Sequence, residues 1–193
     1  MMNFRMGFGA VLVLLVSGSA SADVGSDTVV TKLTILHTNG LMGNLSSHHY
    51  FGQERGGIAR LVHCLRELGG AEALILDGGD AFGPHPMAQF DGGRGMAQLM
   101  DLAGYTAMVP GNHDLNYGPD TLRARAATVD FSLLAANVTY PSQAEPVFQS
   151  HIIVVRRGVR VLLTGLVSPG VAQTVHRLRA KDVRITPPAE ALQ

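Results

Sequence analysis

Three adjacent residues of unlike chemistry, Asn112-His113-Asp114, follow an apolar run that is broken by Pro110-Gly111. The run, Tyr105 to Val109, reads as a buried strand. A strand, a glycine turn and then Asn-His-Asp present an amide oxygen, an imidazole and a carboxylate at the edge of a sheet. Oxygen and imidazole ligands suit Mn²⁺, Fe or Zn²⁺, and an unligated histidine can donate a proton or stabilise charge. The same residues also suit a polar strand-to-helix loop in which Asn112 and Asp114 make local turn bonds. A motif this short does not choose between the two.

The elements that must position it are readable around it. Lys32 to His37 predicts a first strand running into a glycine-punctuated loop, Thr38 to Asn44. Gly56-Gly57 opens a helix with Ile58, Leu61, Val62, Leu65 and Leu68 on one face, and Gly69-Gly70 closes it. Ala73 to Leu76 is a continuous apolar run suited to a strand covered on both sides, ending in Asp77-Gly78-Gly79-Asp80. A helix is expected near Arg94 to Ala103, another from Pro119 to about Ala127, and a strand at Phe131 to Ala136. Ile152–Val155 and Val159–Leu163 flank Arg156-Arg157-Gly158 as a β-hairpin. Val183–Ile185 reads as a last short strand, followed by the first turn of a helix at Pro187–Gln193. Alternating strands and helices imply an α/β sheet with the C-terminal ends of its strands along one edge.

Composition bounds the function. The 193 residues are 46% hydrophobic and 16% charged with a formal net charge of zero, enough for one domain with a core. No basic face is advertised, which argues against nucleic acid as a partner. Arg5, the apolar run Met6–Val16 and Ala20-Ser21-Ala22 read as a secretory signal peptide over residues 1–22, leaving 23–193 as the mature domain. The apolar run falls short of the roughly 20 residues a membrane span requires, so a periplasmic or secreted location is expected and no membrane span. Cys64 is the single cysteine and reads as a helix-packing thiol.

Taken in order, Leu33–Asn39, Gly56-Gly57-Ile58-Ala59-Arg60, Asp77-Gly78-Gly79-Asp80, Gly111-Asn112-His113-Asp114 with Tyr117-Gly118, and Ala135-Ala136-Asn137-Val138 resemble the bacterial 5′-nucleotidase family of the calcineurin-like metallophosphoesterases. Gly158–Val161 with Gly165–Pro169 also resembles the family's hairpin and the loop after it. The resemblance implies an α/β fold, a β-sandwich flanked by helices, of which this chain holds the first half. It implies hydrolysis of nucleotides or related small phosphate esters at a site of two divalent ions, Mn²⁺ or Zn²⁺. In that pattern Asp80 matches the carboxylate bridging both ions and Asn112 an amide ligand of the second. His113 matches the imidazole that neutralises charge on the phosphoryl group or assists the leaving oxygen.

The departures matter as much. The family's first motif is Asn-Asp-x-His-Gly, and here the same place reads Asn39-Gly40-Leu41-Met42-Gly43. Gly40 has no side chain, and the Met42 thioether is a soft neutral ligand ill suited to Mn²⁺ or Zn²⁺. The family's later Gly-His and Gly-His-x-His motifs have no counterpart in these residues. Weak metal binding and impaired catalysis are therefore expected. The alternatives are a non-catalytic remnant or binding module, or one half of a split hydrolase completed by a separate chain. His48 and His49 are candidate replacement ligands, and His85 can face the site from the loop after Asp80. His37 matches a family position outside the carried-over ligands, while His63, His151 and His176 read as structural or exposed. Asp77 and Asp114 are expected to brace their loops. With the second half of the domain missing, Leu74–Leu76, Leu133–Ala136 and Val161–Leu163 are expected to be only partly buried.

Overall fold

Two apolar runs decide the architecture, Leu74-Ile75-Leu76 and Val161-Leu162-Leu163. In a strand, successive side chains face opposite ways, so a fully apolar strand must be covered twice. The computed structural model describes residues 10–17, 30–143 and 146–192. In chain order, β1 is Ala10–Ser17, β2 Ile35–Thr38, β3 Ser47–Tyr50 and β4 Gln53–Gly56. Next come α1 at Ile58–Gly69, β5 at Leu74–Asp77, α2 at Pro86–Phe90 and α3 at Arg94–Leu102. β6 is Ala107–Met108, α4 Asn112–Leu115, α5 Pro119–Ala126, β7 Ser132–Leu133 and β8 Val138–Thr139. The hairpin strands β9 and β10 are His151–Arg156 and Val159–Val167. Two single turns, α6 at Val171–Thr174 and α7 at Arg177–Ala180, precede β11 at Arg184–Ile185 and α8 at Pro188–Ala191.

β2, β5, β6 and β7 form a parallel sheet in that order, and β1, β10 and β9 an antiparallel one. Leu74 and Leu76 of β5 face the second sheet, where they meet Val161 and Leu163 of β10. Ile75, between them, joins Leu65 of α1 with Met96 and Met100 of α3 in the larger core. Alternation along one strand thus serves two interfaces, sheet on sheet and sheet on helix. The fold is a mixed α/β sandwich flanked by helices, as the family resemblance implies. Asn137 couples the layers: its side chain exchanges bonds with Val167 N–H and C=O at 2.8 and 2.7 Å and donates to Thr186 C=O at 2.8 Å.

Several expectations need correction. The apolar runs are not left half-covered: Leu74, Leu134, Val161 and Leu163 are 0% exposed. The β9–β10 hairpin folds back over the parallel sheet and supplies the cover. Apolar exposure falls instead on the outer face of β9, where Ile153 and Val155 are 50% and 57% exposed. Cys64 is exposed on α1 rather than packed, and Leu68, at the margin of the apolar stripe, is also exposed. β2, β6 and β7 are shorter than their apolar runs. The β3–β4 hairpin and α2 were not foreseen.

The signal peptide read from the sequence lies largely outside the described residues. Of that segment, Ala10–Ser17 pairs antiparallel with β10, from Ala10 opposite Val167 to Ser17 opposite Arg160. Among the described residues no helix is long and apolar enough to cross a membrane.

Leu163→Ala removes a side chain clamped between the sheets and should lower stability by about 2–5 kcal/mol, whereas Ile153→Ala on the open face should cost under about 1 kcal/mol. Urea unfolding of both variants checks this, and equal losses would contradict the sandwich packing.

Candidate active site

Loops leaving the C-terminal ends of the parallel strands meet at one carboxylate. Asp114 lies in the first turn of α4, fully buried. Its Oδ2 accepts from the N–H groups of Asp80 at 2.7 Å and Gly111 at 2.8 Å, and its Oδ1 accepts from Phe82 N–H at 2.8 Å. Three backbone donors from two loops therefore converge on one side chain. Asp80 answers by accepting from His113 N–H through Oδ1 at 2.9 Å. The expectation that Asp114 braces its loop holds, and the brace reaches across to the loop after β5.

The close approach dictates residue type. A Cβ on Gly111 would stand 2.2 Å from Asp80 Oδ1 and 2.6 Å from its backbone nitrogen. No side chain fits there without moving Asp80. Asp80 itself has φ of 57°, a left-handed conformation uncommon outside glycine, asparagine, aspartate and histidine. The bonds to Asp114 and His113 hold it there.

Loop 39–43 lies along the same segment. Gly40, Met42 and Gly43 donate their N–H groups to the carbonyls of Gly79, Asp80 and Ala81, each at 2.8 Å. The five residues singled out from the sequence, Gly40, Met42, Asp80, Asn112 and His113, are therefore brought to one edge. Asn112 and His113 are half-buried, and His113 Nδ1 is buried with no hydrogen-bond partner among the described residues.

This donor set does not fit a two-ion centre by itself. It offers one carboxylate, already engaged by a backbone N–H, one amide, one imidazole and a thioether. Among the described residues no group of three or more His, Cys, Asp or Glu can hold a metal ion. His48 and His49, the candidate replacement ligands, sit exposed on β3, opposite Arg55 and Glu54 of β4. His85 caps α2, its Nδ1 accepting from Met87 N–H at 3.3 Å. His37, His63 and His151 are exposed.

Two features escaped sequence reading. Thr38 Oγ1 donates to Asp77 Oδ2 at 2.7 Å and lies 2.7 Å from Tyr105 Oη, so β2, β5 and the start of the β6 run are tied through one hydroxyl. Asp77 Oδ1 also accepts from Gly79 N–H at 2.8 Å, the loop brace expected of it. Asn116, one helical turn after His113, accepts from His176 N–H at 2.6 Å and fixes the loop before α7 beside the site. The His113–Asn116 spacing signals a shared face, but nothing in sequence points to His176.

Burial dominates the electrostatics. It pushes the Asp77 carboxyl up to about 7 against the lowering effect of Thr38 and Gly79, and the Asp114 carboxyl up to about 7 despite its backbone donors.

No family model matches the sequence. The UshA protein of Escherichia coli (strain K12) is 27% identical over 184 residues, 94% of this chain and 34% of that protein. The crystal structure of a 5′-nucleotidase precursor from Thermus thermophilus superposes with a TM-score of 0.68 at 27% identity, covering 83% of this chain and 33% of that one. That of the calcineurin-like phosphoesterase YfkN from Bacillus subtilis gives 0.63 at 22% identity, covering 82% of this chain and 55% of that one. The chain thus spans about a third of the length of the UshA and 5′-nucleotidase relatives.

Because the folded-state pKa of Asp77 is raised, its stabilising contribution is full below about 3.8 and is lost as pH rises through about 7. Asp77→Asn, which mimics the neutral acid, should flatten part of this fall. Urea midpoints at pH 4.5 and 7.5 check it, and an unchanged or steeper slope in the variant would contradict the assignment.

Proposed function

Given a chain related in sequence and fold to the N-terminal part of the bacterial 5′-nucleotidases, we propose that it is a 5′-nucleotidase-type phosphoesterase module acting outside the cytoplasm on nucleotides or related small phosphate esters. The observation that carries the reading is the convergence of Asp80, Asn112 and His113 at one sheet edge, locked by Asp114. His113 is the group placed to neutralise charge on the phosphoryl oxygens or to protonate the leaving oxygen. Export rests on the leader-like residues 1–22. Asp80 and Asn112 are the ligands this chain offers to a metal site, to which Gly40 and Met42 add none.

One observation favours a second reading, a non-catalytic remnant or binding module. Gly40 and Met42 occupy the backbone positions beside Asp80, and neither offers a hard ligand. On either reading the chain alone should take up Mn²⁺ or Zn²⁺ weakly and release phosphate from nucleoside monophosphates only at trace rates. Calorimetric titration with Mn²⁺ and a phosphate-release assay test this. Tight uptake of two ions with brisk turnover would contradict the donor count.

The readings separate in one variant. Gly40 has φ of 63°, and a Cβ there meets only Met42 Cε at 4.0 Å, so an aspartate has room at a backbone cost of about 1 kcal/mol. Gly40→Asp with Met42→His adds a carboxylate and an imidazole next to Asp80. Stronger metal uptake with measurable phosphate release supports the phosphoesterase reading. Stronger uptake without any release supports the remnant.

A further inference from the structure

We propose that the cavity beside His113 is a binding pocket for phosphorylated small molecules, with Arg179 as the residue that selects for their negative charge. The inference rests on the phosphoesterase reading above and extends it to residues outside the converging loops.

The cavity measures about 480 Å³, within the range of small-molecule pockets. Its wall combines α4 and its C-cap, through His113 and Asn116, with α7 and the residue before it, through Arg179 and His176. No carboxylate lines it. Gln89 gives its amide nitrogen to Pro84 C=O at 2.7 Å and Tyr117 its hydroxyl proton to Phe82 C=O at 3.0 Å, so each leaves an oxygen, while Asn116, His176 and Arg179 present N–H. Asn116 spends its carbonyl oxygen on His176 N–H, which leaves its amide nitrogen to donate. His176 Nδ1 accepts from Leu178 N–H at 3.4 Å, so in the neutral ring Nε2 carries the proton. His113 Nδ1 is buried and unpaired among the described residues. One guanidinium and these N–H groups, with no carboxylate to balance the charge, suit an anion, and a guanidinium fits the oxygens of a phosphate in particular. Pro84, Leu178 and the Tyr117 ring give an organic group apolar surface.

Arg179 is free to serve. Its only ion pair among the described residues is with Asp182, at 3.4 Å between side chains 50% and 28% exposed. A contact so solvated is readily exchanged for a ligand. Arg179 also borders the neighbouring polar groove, where it joins Arg123 and Lys181 opposite Asp120 and Asp182, so the charge beyond the cavity is on balance positive. None of the cavity's residues depends on a metal ion, so the pocket can bind ligand where the ion site cannot form.

The test uses the full chain in the presence of a chelator, titrated with AMP, adenosine and inorganic phosphate by calorimetry. AMP should bind at least ~10-fold more tightly than either of the others, the step that one charge-assisted contact supplies. Arg179→Gln should weaken AMP by a similar factor and leave adenosine unchanged, Asp182→Asn should tighten AMP, and Arg157→Gln in the hairpin turn should do neither. Thermal melts of the variants confirm folding. Equal affinity for AMP and adenosine, equal affinity for AMP and phosphate, or indifference to Arg179→Gln would overturn the proposal. If AMP binding depends on Arg179 yet the Gly40→Asp, Met42→His chain releases no phosphate, the pocket stands and the phosphoesterase reading falls. If that chain turns over AMP with a KM unaffected by Arg179→Gln, the pocket falls and the reading stands.

Discussion

The buried carboxylate of Asp114 is the constraint on which the rest of the site depends. An ionisable group with no exposure carries a large desolvation penalty, offset here in part by the N–H groups of Asp80, Phe82 and Gly111. Those donors belong to two loops that leave different strands, so satisfying one side chain fixes their relative position. Gly111 then has no space for a side chain, Asp80 is held in a left-handed conformation, and His113 is placed by its own backbone bond to Asp80. Geometry that looks arranged for a ligand is thus first required by the folding of the loops.

The sandwich beneath sets the frame in which this happens. Four parallel strands in sequential order deliver their loops to one edge, and the β9–β10 hairpin seals the opposite face of that sheet through Val161 and Leu163. Sequence pattern carried most of this, because Leu74–Leu76 and Ile152–Val155 are apolar at strand spacing and Gly57 and Gly104 bound helices. It misjudged the cover of those strands because the resemblance implied a missing half, whereas burial is settled by what the present half can fold over itself. The exposed Cys64 and Leu68 show the same limit: helical periodicity defines a stripe but not how much of it a neighbour covers.

That Asp80, Asn112 and His113 share one edge was legible because each stands in a glycine-rich turn after an apolar strand, whereas the roles expected of them rest on the family resemblance. Gly40 and Met42, expected from the resemblance to be altered ligand positions, lie beside Asp80 by backbone pairing. The bond between His176 and Asn116 joins residues far apart in the chain and left no local trace, so the cavity it frames could not be read from the sequence. The chain covers about a third of the UshA and 5′-nucleotidase relatives, and among its described residues no group of three or more His, Cys, Asp or Glu can hold a metal ion.

Hydrogen exchange at single amides tests the central claim most directly. If Asp114 locks the loops, the N–H groups of Asp80, Phe82 and Gly111 are slow to exchange in the native chain and become fast together in Asp114→Asn, while Leu74 and Leu76 stay protected. Fast exchange at those three amides in the native chain, or their continued protection in the variant, would contradict it.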